Sequence, residues 1–198
     1  MFAHETPRKF SILRTLAAAS VCAIAACGAP HPPARTPPPA VGQEPLSIGP
    51  AAQDTVGGWL PDGRMLSPFD THDPIVGWLD PALREAVQKA ARSAESDGVE
   101  VRISSGWRSK GFQERLFADG VIRYGSPEAA REFVASPEKS KHVTGQAVDI
   151  GPVEADKWLI ANGREFGLCQ VYANEIWHFE LAAVDGRCPP LKPNAAAD

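Results

Sequence analysis

The chain lacks an excess of basic side chains: its 198 residues include 20 Lys and Arg but 24 Asp and Glu, a formal net charge of −4. A nucleic-acid-binding domain normally carries a basic patch and a high pI, so we expect no nucleic-acid partner. The sequence also lacks an extreme composition, because 43% of its residues are hydrophobic and 22% are charged. Values close to the globular average exclude wholesale disorder and collagen-like structure.

Long hydrophobic runs are also scarce. One run extends from Leu16 to Ala26, is interrupted only by a serine, and follows three basic residues. This pattern is typical of a secretory signal peptide, which we predict over residues 1–26. The run is too short for a permanent transmembrane helix. We therefore expect an exported protein of the cell envelope.

The apolar run ends in Ile24-Ala25-Ala26-Cys27, which resembles a bacterial lipobox at all four positions. In a lipobox, cleavage before the cysteine is coupled to lipidation of its thiol. We therefore predict lipidation of Cys27 and a lipid anchor on the outer face of the cytoplasmic membrane. A plain signal peptide with an incidental cysteine is the alternative.

Cysteine is rare, with four residues in the whole chain, two of which lie at or before residue 27. The remaining two, Cys169 and Cys188, predict a disulfide, because an even number of cysteines in an oxidising compartment normally pairs. Two free, buried thiols are the alternative. No CxxC spacing is present, which argues against a zinc role for these cysteines.

Prolines are unevenly distributed, since eight of the 19 fall between Pro30 and Pro50. Small residues and the lack of a hydrophobic period predict a Pro-rich flexible tether over residues 27–58, beginning at the lipidated cysteine. Residues 59–190 have the size of a single domain, and residues 191–198 are predicted to form a flexible tail. We expect a monomer.

The predicted domain mixes helices and strands without regular βαβ alternation and without an internal repeat. Asp80 and Pro81 favour a helix start, as cap and first helical residue, and Gly98 favours its end. Further helices are predicted after Ser109, after Ser126 and over 156–166, and strands over 99–103, 147–150, 170–172 and 177–181. This order favours an α+β fold, with a small antiparallel sheet and helices packed mainly on one side.

Two histidines of this domain have carboxylates nearby in the sequence. His142 lies seven residues before Asp149, with a glycine between them that permits a tight turn, and His178 lies three residues after Glu175. Two imidazoles and one carboxylate supply three zinc ligands and leave one position for water, as in catalytic zinc sites. Glu175 would then take the proton of that water. From spacing alone, a surface Asp149 and a core His178 are the alternatives.

Four sequence blocks occur in a fixed order: SSGWRS over 104–109, then Gln113, SKHVTGQAVD over 140–149, and EIWHFE over 175–180. This series resembles the zinc D-alanyl-D-alanine carboxypeptidases of the VanY type, whose pattern is SGYRS, a downstream Gln, SxHxxGxAxD and ExWH. The resemblance spans about Ser104 to Leu181. It implies a hedgehog/DD-peptidase-like α+β fold and a metallopeptidase.

The resemblance implies zinc bound by His142, Asp149 and His178, with Glu175 as general base. Arg108 matches the family arginine that stabilises the oxyanion, a task that suits a permanently charged guanidinium. The implied reaction is hydrolysis of the terminal D-Ala-D-Ala bond of peptidoglycan stem peptides, with zinc-bound water as the nucleophile. A D-Ala-D-Ala dipeptidase, another stem-peptide endopeptidase and a non-catalytic cell-wall-binding module are the alternatives.

Three further positions match the substrate side of the family pattern. Ser140 and Gln113 are implied to hydrogen-bond the substrate, and Trp107 to form an aromatic wall. Trp107 stands where the family usually has Tyr, so no tyrosine hydroxyl is available at this position. Glu180 shares the strand face of His178, where it either orients that ligand or is solvated.

Overall fold

The computed structural model describes residues 54–61 and 63–197. Four short strands are present: β1 (Arg102–Ser105), β2 (Ala147–Gly151), β3 (Leu168–Gln170) and β4 (His178–Leu181). They form one antiparallel sheet in the order β1-β2-β4-β3. The helices are α1 (Pro74–Gly77), α2 (Pro81–Ser96), α3 (Lys110–Tyr124), α4 (Pro127–Arg131) and α5 (Val153–Asn162), with 3-10 turns over Gly163–Phe166 and Ala195–Ala197.

The ends of the longer helices follow from local side-chain chemistry. Asp80 accepts hydrogen bonds from two backbone N–H groups in the first turn of α2, and Pro81 occupies the first helical position. The Ser109 hydroxyl caps α3 by accepting from Phe112 N at 3.0 Å. Gly125 ends α3 in the left-handed conformation, with φ 86°, that glycine adopts without strain.

Alternation along β2 and β4 gives the sheet two chemically different faces. Val148 and Phe179 are paired across the strands and fully buried. They belong to the main hydrophobic cluster, together with the buried apolar residues of α2 and α5. Asp149 and His178, the next pair along, point to the opposite face because successive side chains alternate. The predicted α+β class with a small antiparallel sheet is confirmed.

The packed region begins before the predicted limit at residue 59. Asp54 forms an ion pair with Arg115 on α3, and Gly57 O accepts a hydrogen bond from Ser109 N at 2.8 Å. These contacts place residues 54–58 against the start of α3, although composition alone assigned them to the tether.

The C-terminal segment is also anchored to the domain. Lys192 forms a bridge with Tyr172, and the side chain of Ala195 is buried. Most of the segment is polar or small, which explains why its composition predicted a flexible tail over 191–198. Main-chain hydrogen bonds, which composition does not reveal, hold it in place.

The predicted disulfide between Cys169 and Cys188 is confirmed, and it joins β3 to the segment that follows β4. The predicted signal peptide over 1–26, the predicted lipidation site Cys27 and the predicted tether up to residue 53 lie outside the described residues. Within the part of the chain that is described, no helix combines the length and apolar character needed to cross a membrane.

Candidate metal centre

The antiparallel register of β2 and β4 brings two predicted ligands together. Asp149 lies directly opposite His178, on the sheet face that is turned away from the main hydrophobic cluster. Both side chains are buried, with exposed fractions of 6% and 4%. Asp149 Oδ1 and His178 Nδ1 are 3.1 Å apart. Strand pairing thus joins residues that are 29 positions apart in the sequence.

The third predicted ligand, His142, lies in the loop that precedes β2. Gly145 turns the chain there with φ 70°, and a Cβ at this position would lie 2.5 Å from the Trp78 carbonyl oxygen. Glycine is therefore required by both the backbone angle and the close approach. Asp80 N donates to Gly145 O at 2.9 Å and holds the turn. The loop directs His142 Nε2 to within 3.3 Å of Asp149 Oδ1.

The ligand atoms of His142, Asp149 and His178 all lie within 4.8 Å of one another. Tetrahedral ligands about 2 Å from a metal ion lie roughly 3.3 Å from each other, so this spacing suits one shared cation. Two imidazoles and a carboxylate are also a donor set that zinc accepts. The structure therefore brings the three predicted ligands into one buried cluster that fits a divalent metal ion.

Hydrogen bonds turn different nitrogens of the two histidines towards the cluster. His142 Nδ1 lies 2.8 Å from Gly106 O. Because a carbonyl oxygen only accepts, Nδ1 carries the proton and Nε2 keeps a lone pair for the cluster. His178 has the reverse orientation: Nδ1 faces Asp149, and Nε2 lies 3.1 Å from Glu180 Oε1. Glu180 thus contacts a predicted ligand.

Burial and the neighbouring charges together set the direction in which the pKa of each group moves. Burial lowers the pKa of His142, and the Arg108 guanidinium lowers it further, which favours the neutral imidazole that binds metals. Burial alone would raise the pKa of Asp149, but the neighbouring imidazoles and guanidinium hold it well below its ordinary value. Burial alone would lower the pKa of His178, but bonds to Asp149 and Glu180 raise it to about 10. A cation at the cluster therefore competes with a proton on His178.

Glu175 lies beside the cluster, in the turn that precedes β4. Its side chain is 13% exposed, and its Oε2 lies 3.8 Å from His178 Nδ1. The backbone fixes this position, since His178 N donates to Glu175 O at 3.3 Å. A carboxylate this close to the cluster, but outside the three-ligand set, can accept a proton from a molecule bound there.

Arg108 lies on the other side of Asp149. Its Nη2 is 2.9 Å from Asp149 Oδ2, in an ion pair of which both members are largely buried. The guanidinium also donates from Nε to Ser105 Oγ at 2.9 Å and from Nη1 to Gln113 Oε1 at 3.2 Å. Three anchors hold the charge in one orientation next to the cluster.

Gln113 contacts the Arg108 guanidinium. The residue is only 1% exposed, and both ends of its amide are engaged. Oε1 accepts from Arg108, while Nε2 donates to Ala135 O at 2.8 Å. These contacts hold Arg108 in place, and the prediction that Gln113 also hydrogen-bonds the substrate stays a prediction.

The other two predicted substrate contacts stay predictions. Ser140 is buried two residues before His142, and Trp107 is half-buried. The Trp107 ring packs edge-on against Trp78, with 4.3 Å between ring centroids. Sequence reasoning assigned no partner to Trp107 and no role to Ser105, although Ser105 lies inside the SSGWRS block.

A buried His-Asp-His cluster flanked by a carboxylate and a guanidinium is typical of metal-dependent hydrolases. The chain matches the family described as VanY, D-alanyl-D-alanine carboxypeptidase, over residues 77–183, which is more than half of its length. The chain therefore belongs to the VanY family. The matched region contains the whole cluster, together with Glu175 and Arg108.

The individual relatives described next share less than 30% sequence identity with this chain. A D-alanyl-D-alanine carboxypeptidase of Enterococcus faecalis (strain ATCC 700802 / V583) is 27% identical over 132 residues, which cover 54% of this chain and 49% of that protein. The chain thus spans about half the length of this relative.

Two solved structures are similar. A mutant of the vancomycin-resistance D,D-pentapeptidase VanY from a VanB-type cassette, in complex with Zn(II), is 28% identical, with 52% of this chain and 71% of that chain covered and a TM-score of 0.49. VanYB in complex with D-alanine-D-alanine is 27% identical, with 52% and 70% covered and a TM-score of 0.49.

Proposed function

We propose that the protein is an exported zinc metallopeptidase that hydrolyses the terminal D-Ala-D-Ala bond of peptidoglycan stem peptides. The family match and the name of the E. faecalis relative support this reaction and substrate. One observation carries the proposal: Glu175 and Arg108 flank the same buried cluster of two histidines and an aspartate. A binding module without chemistry would not need both groups at that position.

The donor set supports zinc as the metal. With neutral His142 and His178 and ionised Asp149, a divalent ion held at the cluster would keep a net charge of about +1. Zinc held by these three residues would act as a Lewis acid, lowering the pKa of water and polarising a carbonyl oxygen. The remaining steps depend on the neighbouring side chains.

Glu175 is assigned the proton transfers. As water attacks the scissile carbonyl carbon, the Glu175 carboxylate takes the proton that the water releases. The same carboxyl then delivers it to the amide nitrogen, so that D-alanine leaves as the amine. The side chain is largely buried, which strengthens its interaction with the developing charges, yet it keeps an exposed fraction through which substrate can approach.

Arg108 is assigned the stabilisation of negative charge on the carbonyl oxygen. Its bonds to Ser105, Gln113 and Asp149 hold the guanidinium before substrate arrives. A pre-oriented charge needs no reorganisation in the transition state, which is the property that makes such groups effective. Trp107, Ser140 and Gln113 are proposed to contact the peptide, following the family pattern.

Mass spectrometry of muropeptides tests the reaction directly. Purified pentapeptide muropeptides are incubated with the protein after zinc addition and after chelation. We expect zinc-dependent products that are lighter by one alanine. Loss of a dipeptide or of a larger fragment would overturn the carboxypeptidase assignment, as would preferred cleavage of free D-Ala-D-Ala over pentapeptide. Peptidoglycan binding without turnover by the zinc-loaded protein would contradict enzymatic function.

We also propose that the protein is lipid-anchored at the outer face of the cytoplasmic membrane. The basic and apolar N-terminal sequence and the lipobox ending at Cys27 support export and lipidation. The Cys169–Cys188 disulfide supports an oxidising compartment. Metabolic labelling with a fatty-acid probe should mark the wild type but not Cys27→Ala. Equal labelling of both would contradict the anchor.

A further inference from the structure

Glu180 has a fixed place next to a predicted metal ligand. It lies two residues after His178 on β4, so alternation puts both side chains on the same sheet face. In the register of the sheet, Glu180 is opposite Ala147 on β2 and Cys169 on β3. A strand on each side therefore holds its backbone. Its carboxylate is 16% exposed, with Oε1 3.1 Å from His178 Nε2.

The two histidines of the cluster differ in what fixes their rings. The proton of His142 Nδ1 is directed at Gly106 O, a backbone atom whose position follows from the fold. The corresponding bond of His178 is made at Nε2 and ends on a side chain, Glu180. The nitrogen of His142 that faces away from the cluster is therefore held by the main chain, whereas the corresponding nitrogen of His178 is held by a side-chain carboxylate.

We propose that Glu180 is a positioning residue that keeps the proton of His178 on Nε2 and presents Nδ1 to the metal. The inference rests on the metal site of the proposed function. A carboxylate that accepts from the distal nitrogen orients the ring and makes the ligand nitrogen more basic. Removing such a partner typically weakens metal binding by about 10-fold to 100-fold.

The surroundings of Glu180 limit the expected effect. Together with Lys141 and Gln146 it lines a polar cavity of about 200 Å³, which is large enough for several water molecules. Water in this cavity would replace part of the lost acceptor in Glu180→Ala. We therefore expect weakened binding, but not its abolition.

Measurements of zinc affinity distinguish the effect of the Glu180 hydrogen bond from the effect of its charge. Competition with a chromophoric chelator is measured for the wild type, Glu180→Ala, Glu180→Gln and the control Glu85→Gln. Glu85 is an exposed carboxylate paired with Lys89 on α2, so the control removes the same charge elsewhere. We expect a loss of about 10-fold to 100-fold for Glu180→Ala. Glu180→Gln should stay closer to the wild type because its amide oxygen still accepts, and the control should be unchanged.

NMR of the zinc-loaded proteins reports the proton itself. The wild type should show a slowly exchanging Nε2–H signal from His178 and an Nδ1–H signal from His142. The His178 signal should shift in Glu180→Gln and be lost in Glu180→Ala. The His142 signal should persist in all variants, which makes it an internal reference that also verifies folding around the cluster.

Two outcomes would overturn the inference. One is unchanged zinc affinity together with an unchanged His178 signal in Glu180→Ala. The other is an equal loss in the Ala and Gln variants, which would assign the effect to charge instead of the hydrogen bond. If Glu180→Ala does not fold, the shift of the His178 signal in Glu180→Gln still tests the inference. Failure of the wild type to release D-alanine would contradict the proposed function alone, because neither readout here uses activity.

Discussion

Neighbouring positions of β2 and β4 point to opposite faces of the sheet. One face holds the hydrophobic core and the other holds the candidate metal centre. Val148 and Phe179 are fully buried among apolar side chains. Asp149 and His178 are nearly as buried, but their neighbours are polar. Burial therefore does not distinguish the two faces, whereas the partners of the buried atoms do.

The comparison teaches how stability and function are divided within one sheet. Removing apolar surface from water stabilises the fold on the core face. On the site face, the cost of burying charges offsets most of the attraction between them, so that such groups add little net stability. Asp149 is an example of such a buried charge. Its Oδ1 faces the imidazoles of the cluster, while its Oδ2 forms an ion pair with Arg108. Substitutions on the core face should therefore lower stability, whereas substitutions on the site face should mainly lower activity.

The largest effect is expected from Glu175→Gln on the site side. The amide cannot accept the proton of the attacking water, so kcat should fall by about 10²-fold to 10⁴-fold. Zinc content and unfolding free energy should stay close to those of the wild type, because Glu175 lies outside the ligand set. Steady-state kinetics on a pentapeptide and metal analysis check this. A variant that loses its zinc would place Glu175 among the ligands.

Phe179→Ala tests the core face, where we expect a loss of stability without a loss of zinc binding. Phe179 is fully buried opposite Val148, so its truncation should lower the unfolding free energy by about 3–5 kcal/mol. Phe69→Ala serves as the matched control, since Phe69 is 44% exposed. Denaturant unfolding measures both variants. Where Phe179→Ala remains folded it should still bind zinc, and loss of zinc from a folded variant would break the separation of the faces.

Helix starts were predictable because their causes are local. The Asp80 cap and Pro81 placed the start of α2 correctly, as did Ser109 for α3. The predicted start of α5 at residue 156 was wrong, because the helix begins at Val153. The residue before it, Pro152, makes no side-chain capping bond. A start without a capping side chain leaves little trace in the sequence.

Strand bounds were predicted less well, because they depend on the partner strand. Alternation predicted a strand over 99–103, but hydrogen bonding to β2 begins at Arg102 and extends to Ser105. The strand predicted over 170–172 is displaced in the same way, and β3 covers Leu168–Gln170. Periodicity indicates which residues are half-buried, but the register also requires the neighbouring strand.

The ligand set was predictable, whereas the roles of its neighbours were not. His142, Asp149 and His178 lie in sequence blocks that resemble the family pattern, whereas their spacing alone left a surface Asp149 and a core His178 as alternatives. The amide of Gln113 can bond a substrate, an arginine or both, and its contacts with Arg108 and Ala135 depend on tertiary structure that the sequence does not reveal. The nitrogen that each histidine presents is likewise set by a distant acceptor that the sequence does not reveal.

The Cys169–Cys188 disulfide allows a further test of stability at the edge of the sheet. Cys169 on β3 is paired in register with Glu180 on β4, and its bond to Cys188 spans 19 positions. Cys169→Ser combined with Cys188→Ser should lower stability by about 3 kcal/mol, mainly by releasing the unfolded chain from its constraint. Thermal unfolding of the oxidised wild type and the double variant checks the value. An identical Tm in both would contradict a stabilising role.

Asp156 is the exception to the comparison, because it places a carboxyl on α5, the helix that packs against the core side of the sheet. It is only 4% exposed, and in the region that the structure describes its Oδ1 has no hydrogen-bond partner. Burial raises the pKa of Asp156 to about 7, and repulsion by Asp149 and Glu154 adds to the effect. The unfolded chain keeps an ordinary aspartate pKa near 3.8.

The smallest expected effect follows from this raised pKa. As pH rises from about 4 to 7 the unfolded state loses the Asp156 proton first, so stability falls over this range and levels off above it. Asp156→Asn removes that dependence and should stabilise the protein by about 1–2 kcal/mol at pH 8, with no gain at pH 4. Urea unfolding at both pH values, with chelator present to remove metal linkage, measures the difference. The control is Glu165→Gln, which removes an exposed carboxyl elsewhere in the domain. If Asp156→Asn keeps the wild-type slope, the carboxyl is ionised in the folded protein, and the core side of the sheet tolerates a charge that its apolar surroundings should exclude.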